Sequence, residues 1–528
     1  MPVAKGEKLE KYEGLSPAQF FYRNKEIAGF SNPARALYQT VRELVENSLD
    51  ATETYGILPN ISVIVEPVNE DSEKIKVKVE DNGIGVPIKE VPNVFGKVFY
   101  GSKYVLRQTR GVFGLGVKMA VLYSQITTAT PIYVKSSTQK SRIIYEYKLF
   151  IDIERNIPFI LSLNVYKKKD SWHGTAVELV LRGNFSQVKK RVEEYIKRTA
   201  LIAPYATISL KTPDGEIKFK RVSRKLPEPP KIGKYHPRGV DIETLKRLIR
   251  KSNSKMTLLD LLSTSFDGVG RITAEKFCEW AGFNPNIKIK KLNLSDLEKL
   301  ANKMREYNGW RRPKSITLSP LGERLLKEGV KNILKPEFVT AVTRPPSSYG
   351  GNPFIVEVAL GYGGEIPSSD APLLLRFANR IPLLYDEGAD VSKKVINSID
   401  WNIYKIKFPA PLAIVTHVCS TKVPFKGVGK EAIADVPEVE KEIKIAIREV
   451  ARRLKRHLSR IEKMFEIKRR EVTIKRYMNE VSRSLSYISG IEEEKLKDLL
   501  LRILKEDIKR RESSKAGEKI VKKAIVSR

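Results

Sequence analysis

Apolar side chains return every three or four positions early in the chain, at Leu37, Val41, Leu44 and Val45, and so line one face of a helix. Ser31-Asn32-Pro33 gives that helix a polar cap and a first-turn proline, and Gly56 offers a stop. The period then shifts to two: Lys74-Ile-Lys-Val-Lys-Val-Glu80 alternates and predicts a strand. Strands are also expected over 145–153, 176–181, 354–359, 373–377 and 412–418, with a helix over 187–199. Residues 225–237 are too proline-rich for an element interior and mark a boundary. Residues 240–310 read as helical, and Gly268-Val-Gly270 is a turn between two of those helices. From 439 to about 487 there is no proline or glycine, and Val439, Ile443, Ile447, Val450 and Leu454 keep helical steps. A helix of about 40 residues, roughly 60 Å long, is expected there. A helix and a frayed basic tail are expected over 490–528.

Composition adds scale and partners. A chain of 528 residues suggests two to four domains of mixed α/β character. The net charge is +34, from 96 basic and 62 acidic residues. Such an excess gives sequence-independent affinity for phosphate backbones, and a heat-adapted surface is its other source. Cys278 and Cys419 lie far apart, and no Cys/His group has zinc spacing. No apolar run of membrane-spanning length exists, so no membrane association is expected. The charged N-terminus lacks a signal-peptide core, which fits a reduced cytoplasm and a nucleoid-associated protein.

Three stretches carry chemistry. The first is Glu43-Leu-Val-Glu-Asn47-Ser-Leu-Asp50-Ala51. At 100° per residue, Glu43, Asn47 and Asp50 fall within about 60° of one another, opposite the apolar stripe. A carboxylate and an amide oxygen one turn apart can orient a water and hold Mg²⁺. A solvated helix face is the plainer reading. The second, Asp81-Asn-Gly83-Ile-Gly85, ends a strand; its carboxylate can accept a hydrogen bond from an amine such as adenine's, or it is an ordinary turn. The third, Gly111-Val112-Phe113-Gly114-Leu115-Gly116, opens an apolar helix over 117–123 and can offer backbone N–H groups to phosphate. Lys118, Ser102-Lys103, Arg107 and Arg110 add charge and hydroxyl nearby. The glycine spacing fits neither the Walker nor the Rossmann pattern.

In this order, and followed by His173-Gly174-Thr175, the three stretches resemble the GHKL ATPases, which group gyrase, Hsp90, sensor histidine kinases and MutL. Along nearly its whole length the chain is similar to the ATPase subunits of archaeal type II DNA topoisomerases. Ser16-Pro-Ala-Gln-Phe-Phe21, Asn32-Pro-Ala-Arg-Ala-Leu-Tyr-Gln39, Arg110-Gly-Val-Phe-Gly-Leu-Gly-Val-Lys118 and Cys419-Ser-Thr-Lys-Val-Pro-Phe-Lys-Gly-Val-Gly-Lys-Glu431 carry that likeness. It implies an α/β (α+β) multidomain fold. A Bergerat-type GHKL sandwich with an N-terminal dimerisation arm would occupy 1–228, and a helix-two-turn-helix domain 229–311. A transducer of ribosomal-S5-like α/β type, ending in a long helix, would occupy 312–470, and a basic helical extension 471–528.

The same resemblance implies ATP and Mg²⁺ as cofactors. Glu43 would be the general base and Asn47 the Mg²⁺ ligand. Asp81 would read the adenine amine beside Gly83 and Gly85, with Thr175 supporting that pocket. Asp50, Ser102, Lys103, Gly111, Val112, Phe113, Gly114, Leu115, Gly116, Val117 and Lys118 would complete the ATP site around the phosphates. Lys430 would be the sensor lysine, with Lys422 a close second and Lys426 between them. The implied partners are a second copy on ATP binding, double-stranded DNA, and a DNA-cleaving A subunit in an A₂B₂ assembly. Arg271 and Lys276 in the helical insert are the expected DNA contacts. Trp401-Asn-Ile-Tyr404 departs from the family's Trp-Lys-x-Tyr pattern, since Asn402 is uncharged.

Other GHKL functions fit less well. A sensor kinase would carry its acceptor histidine ahead of the ATP domain. A chaperone sits poorly with the +34 charge and the Gly-Val-Gly hairpin. A MutL-like repair ATPase lacks the inserted helical domain. No Asp-x-Asp occurs anywhere, so the metal-binding pair of a Toprim nuclease is missing and cleavage is assigned to the partner. Tyr12, Phe20, Phe21 and Tyr22 in the first 30 residues are expected to pack on a second ATPase domain, or else to fold back onto their own core.

Overall fold

A computed structural model describes residues 13–68, 71–111, 114–427 and 429–512. Helix α1 (Pro17–Arg23) is capped by Ser16 and α2 (Pro33–Glu53) by Asn32, whose side chain accepts from the Arg35 N–H at 2.9 Å. Strands β1 (Asn60–Val68) and β2 (Asp71–Asp81) follow, then α3 (Val91–Gly96) and α4 (Gly116–Thr128). The alternation read in β2 places Ile75, Val77 and Val79 in the core. Next come β3 (Ile132–Ser137), β4 (Ile143–Asp152), β5 (Ile157–Lys167), β6 (Gly174–Arg182), α5 (Phe185–Ile202), β7 (Thr207–Thr212) and β8 (Gly215–Phe219). These strands form one eight-stranded sheet in the order β5-β4-β3-β6-β2-β1-β7-β8, antiparallel except for β1 with β7. Its β5 edge leaves Phe159, Leu161, Leu163 and Val165 exposed.

The helical segment comprises α6 (Ile242–Lys251), α7 (Leu258–Ser265), α8 (Arg271–Ala281) and α9 (Leu294–Glu306). It encloses its own core of Leu245, Leu258, Leu261, Phe277 and Leu300. Gly268 turns the chain between α7 and α8 at φ 70°, where a side chain would strain the backbone.

Helix α10 (Gly322–Leu334) leads into the second sheet. Its strands are β9 (Phe338–Thr343), β10 (Ser347–Tyr349), β11 (Asn352–Tyr362), β12 (Leu373–Ala378), β13 (Ile381–Leu383) and, after α11 (Val391–Asn397), β14 (Leu412–Ser420). The order is β10-β11-β14-β12-β13, with β9 also on β11. Strand β14 is central and buried at every position, so Leu412–Val415 runs apolar on both faces instead of alternating. Both sheets, with α2, α4, α5 and α10, share one apolar cluster.

The chain ends in α12 (Pro437–Ser489) and α13 (Glu493–Glu512). Helix α12 has 53 residues rather than the expected 40 or so. It starts at a first-turn proline and stops only at Gly490, which adopts φ 71°. Two compact units divide the chain, Met1–Asp400 with Ile406–Val450, and Trp401–Lys405 with Ala451–Arg528. Among the described residues no helix is long and apolar enough to cross a membrane. Of the expected dimerisation aromatics, Phe21 is buried in its own chain's core, edge-on to Phe20 and Phe99. Phe20 and Tyr22 are exposed, and Tyr12 lies outside the described residues.

Candidate nucleotide site

Helix α2 does not present the open polar face that its charges suggest. Gln39, Arg42, Glu46, Ser48 and Glu53 are buried along with the apolar residues, and Glu43, Asn47 and Asp50 form a half-buried stripe. Arg42 donates to Glu46 at 2.7 Å and to the Gly429 carbonyl at 3.1 Å. This i,i+4 pair looks like a surface pair in the sequence, and only the fold reveals it as internal.

Glu43 lies at the start of α4. A methyl group on Gly116 would come within 1.6 Å of Glu43 Oε2, so glycine there makes room for the carboxylate. The positive end of the α4 dipole favours an anion at that point. One turn on, Asn47 Oδ1 accepts from Lys103 Nζ at 3.0 Å, and the same ammonium donates to Asp50 Oδ2 at 2.6 Å. Asp50 Oδ1 accepts from Arg110 at 2.8 Å, and Arg110 also donates to Glu53 at 2.8 Å. Burial alone would raise the Asp50 pKa, but Lys103 and Arg110 outweigh it and bring the group to about 2. Ser102, beside Lys103, is exposed.

At the far end of α2 stands Asp81. Its Oδ1 accepts from the N–H groups of Gly83 at 2.8 Å and Thr175 at 3.3 Å, and its Oδ2 from Ser48 Oγ at 2.9 Å. Burial nevertheless pushes its pKa up to about 6. Gly83 and Gly85 are both needed: a Cβ would press on Ala51 at the first and on the Ser137 carbonyl, at 2.2 Å, at the second. Thr175 Oγ1 lies 3.1 Å from Ser136 Oγ. Ser48 and Ser136 are not legible in the sequence, where an isolated serine carries no signal.

The glycine loop runs from Gly111 through Gly114, at φ 61°, to Leu115 and Gly116 at the head of α4. Val112 and Phe113 lie outside the described residues. Val117 turns its side chain into the core. Lys118 is buried and donates to the Tyr100 carbonyl at 2.8 Å; burial, then Lys103, lowers its pKa to about 8.

Lys430 is brought to this loop from far along the chain. Its Nζ donates to the Arg110 carbonyl at 2.9 Å, while Lys422 and Lys426 are exposed. Arg271 and Lys276 stand exposed on α8, in the separate helical core, where Arg271 pairs with Glu275 at 3.8 Å.

One further cluster was invisible to sequence spacing. Glu357, His417 and Cys419 meet in the second sheet and are all buried. The Arg380 N–H donates to His417 Nε2 at 3.0 Å, which leaves the ring proton on Nδ1, 2.8 Å from Glu357. Glu357 also accepts from Leu321 N, Gly322 N and Thr343 Oγ1. With these groups already engaged, the cluster reads as a hydrogen-bonded clamp rather than a metal seat.

A carboxylate at a glycine-opened helix, an amide one turn on and a buried aspartate against two glycines define an ATP-binding domain of the GHKL class. Residues 32–149 match the family of histidine kinase-, DNA gyrase B- and HSP90-like ATPases, and residues 313–470 match the topoisomerase VI B subunit transducer. The chain is 56% identical over 485 residues to the type 2 DNA topoisomerase 6 B subunit of Pyrobaculum aerophilum, covering 92% of each chain. It is 48% identical over 493 residues to that of Sulfurisphaera tokodaii, covering 93% of each, and 47% identical over 479 residues to that of Saccharolobus islandicus strain L.S.2.15, covering 90% of each. The chain belongs to the family of type 2 DNA topoisomerase 6 B subunits, the ATPase subunits of a type II DNA topoisomerase.

Proposed function

We propose that this chain is an ATP-operated gate which dimerises around one DNA duplex while a partner A subunit cleaves another. The assembly is A₂B₂, and it relaxes supercoils and decatenates DNA. The four-part division at 228/229, 311/312 and 470/471 supplies the ATPase, the helix-two-turn-helix insert, the transducer and a basic extension. Its place of work is the cytoplasm, on the nucleoid.

The observation that carries this reading is Glu43 facing the Gly116 end of α4, beside the glycine loop. There its carboxylate can take a proton from a water aimed at the γ-phosphate. Asp81 binds the adenine amine, supported by Thr175, with Gly83 and Gly85 allowing close approach. Gly111, Val112, Phe113, Gly114, Leu115, Gly116 and Val117 offer backbone to the phosphates, with Ser102, Lys103 and Lys118 beside them. Asn47 fits Mg²⁺, because its Oδ1 already faces a cation, the Lys103 ammonium, next to the Asp50 carboxylate. The metal would neutralise phosphate charge during transfer. With Asn47 holding the metal, Lys103 would be free to pair with the phosphates, while Arg110 would keep Asp50 paired. Lys430 reports the γ-phosphate to the transducer. Arg271 and Lys276 contribute to non-specific DNA binding.

The test is to purify the chain with its A subunit and measure decatenation with ATP, using Glu43→Ala beside the natural protein. The variant should bind ATP normally and lose hydrolysis and decatenation. Undiminished turnover in Glu43→Ala would overturn the assignment.

A further inference from the structure

Strands β12 and β13 are joined by the two-residue turn Asn379-Arg380, with φ 48° and 65°. Turns of this hand favour Asn-Gly, because a side chain at the second position is crowded by its own backbone. Here an arginine holds the glycine's place. Its side chain is buried, which is unusual for a hairpin tip. The guanidinium donates to Tyr205 Oη at 3.2 Å and Ser319 Oγ at 3.3 Å, and lies 3.4 Å from Glu53.

These contacts lead to the glycine loop. Asn379 Nδ2 donates to the Thr109 carbonyl at 3.1 Å and to the Ser420 carbonyl at 2.9 Å. Arg110, the next residue, shares Glu53 with Arg380 and Asp50 with Lys103. Gln108 Oε1 accepts from the Ser319 N–H at 2.8 Å. Gln108 and Thr109 are thus held by residues beyond 300, and Arg110 is held by Asp50 and Glu53 on α2 and, at its carbonyl, by Lys430. A crowded backbone kept in place by buried polar contacts indicates a constraint that folding of the hairpin alone does not impose, since glycine would form the same turn without crowding.

We infer that the Asn379-Arg380 turn is a positioning element for ATP hydrolysis. It fixes the entry to the glycine loop at Thr109 and Arg110, so that the loop meets the phosphates in register with Glu43. The inference rests on the nucleotide site proposed above.

Two variants test it in the full chain assembled with its A subunit. Arg380→Lys keeps the charge but loses the planar fork that spans Glu53, Tyr205 and Ser319. Asn379→Gly suits the positive φ and removes the amide clamp on Thr109. Each is measured for melting temperature, ADP affinity, KM and kcat. ADP affinity should stay within about threefold, while kcat falls about tenfold to a hundredfold with little change in KM, as expected when a reacting group is misplaced. A kcat at the natural level in both variants overturns the inference. So does a parallel fall of kcat and ADP affinity that tracks the folded fraction, which is what a purely structural role would give. Glu43→Ala in the same assay separates the two readings. If it turns over normally, the nucleotide-site reading fails and this inference with it. If it is inactive while both turn variants keep full kcat, only the present inference fails.

Discussion

Asp81 touches helix α2 and Asp50 lies on it, yet their environments pull them in opposite directions. Asp81 is buried with hydrogen bonds but, among the described residues, no paired cation, and its pKa rises to about 6. The ordinary carboxylate value is near 3.9. A folded-state value above the unfolded one means the folded chain takes up the proton more readily. The contribution of Asp81 to stability is therefore most favourable below pH ~4 and is lost as pH rises through about 6. Carrying the charge at neutral pH costs on the order of 3 kcal/mol. Asp81→Asn should accordingly raise the melting temperature at pH 8, with the advantage falling to about half by pH 5, while ATP binding is lost. Thermal melts at the two pH values and an ATP titration check both halves. Asp50 has the opposite sign: its paired carboxylate stabilises the fold above pH ~4, and that contribution is lost as pH falls through about 2.

At the scale of elements, the loop before α12 reaches the entry to the glycine loop before α4 through Lys430, which donates to the Arg110 carbonyl. A lysine so placed can exchange a carbonyl for a γ-phosphate and shift its own loop as it does so. Lys430→Ala should lose strand transport and most hydrolysis, with a smaller loss of ATP affinity, whereas Lys422→Ala should be nearly silent. Paired ATPase and decatenation assays decide, and the reverse pattern would move the sensor role to Lys422. Much of this architecture was legible in the sequence. Alternation in β2, the apolar stretch 412–415 that opens β14 and the Gly268 turn each report a local rule of backbone or burial. The glycine motifs were legible too, because close approach needs glycine whatever the fold. The burial of Arg42, Glu46 and Glu53 was not. Charged residues at helical spacing look alike whether water or a second sheet covers them, and here part of the cover, the Gly429 carbonyl on Arg42 and Arg380 beside Glu53, comes from more than 300 residues away. Helix α12 outran its expected length because the apolar steps fade after Leu454 while nothing in the chain stops the helix before Gly490.

For the whole molecule the +34 charge sets the terms of DNA binding. No described element has the look of a major-groove reader, so affinity should be independent of sequence and steep in salt, with a slope of about −0.9 in log K per phosphate neutralised. Salt titrations on two unrelated duplexes of equal length check this; a shallow slope, or a strong preference between the two, would count against a non-specific clamp. The same screening reaches the free edge at β5. An 11-residue strand with Phe159, Leu161, Leu163 and Val165 in the open is a template for another chain. Lys167, Lys168 and Lys169 at its end, and the overall like charge, keep copies apart in dilute salt. Added salt shortens the reach of that repulsion to roughly 3 Å at 1 M. The purified protein should then cloud on storage in the same buffers that strip it of DNA, with light scattering rising as ionic strength rises and falling again when Leu161 and Leu163 are replaced by threonine.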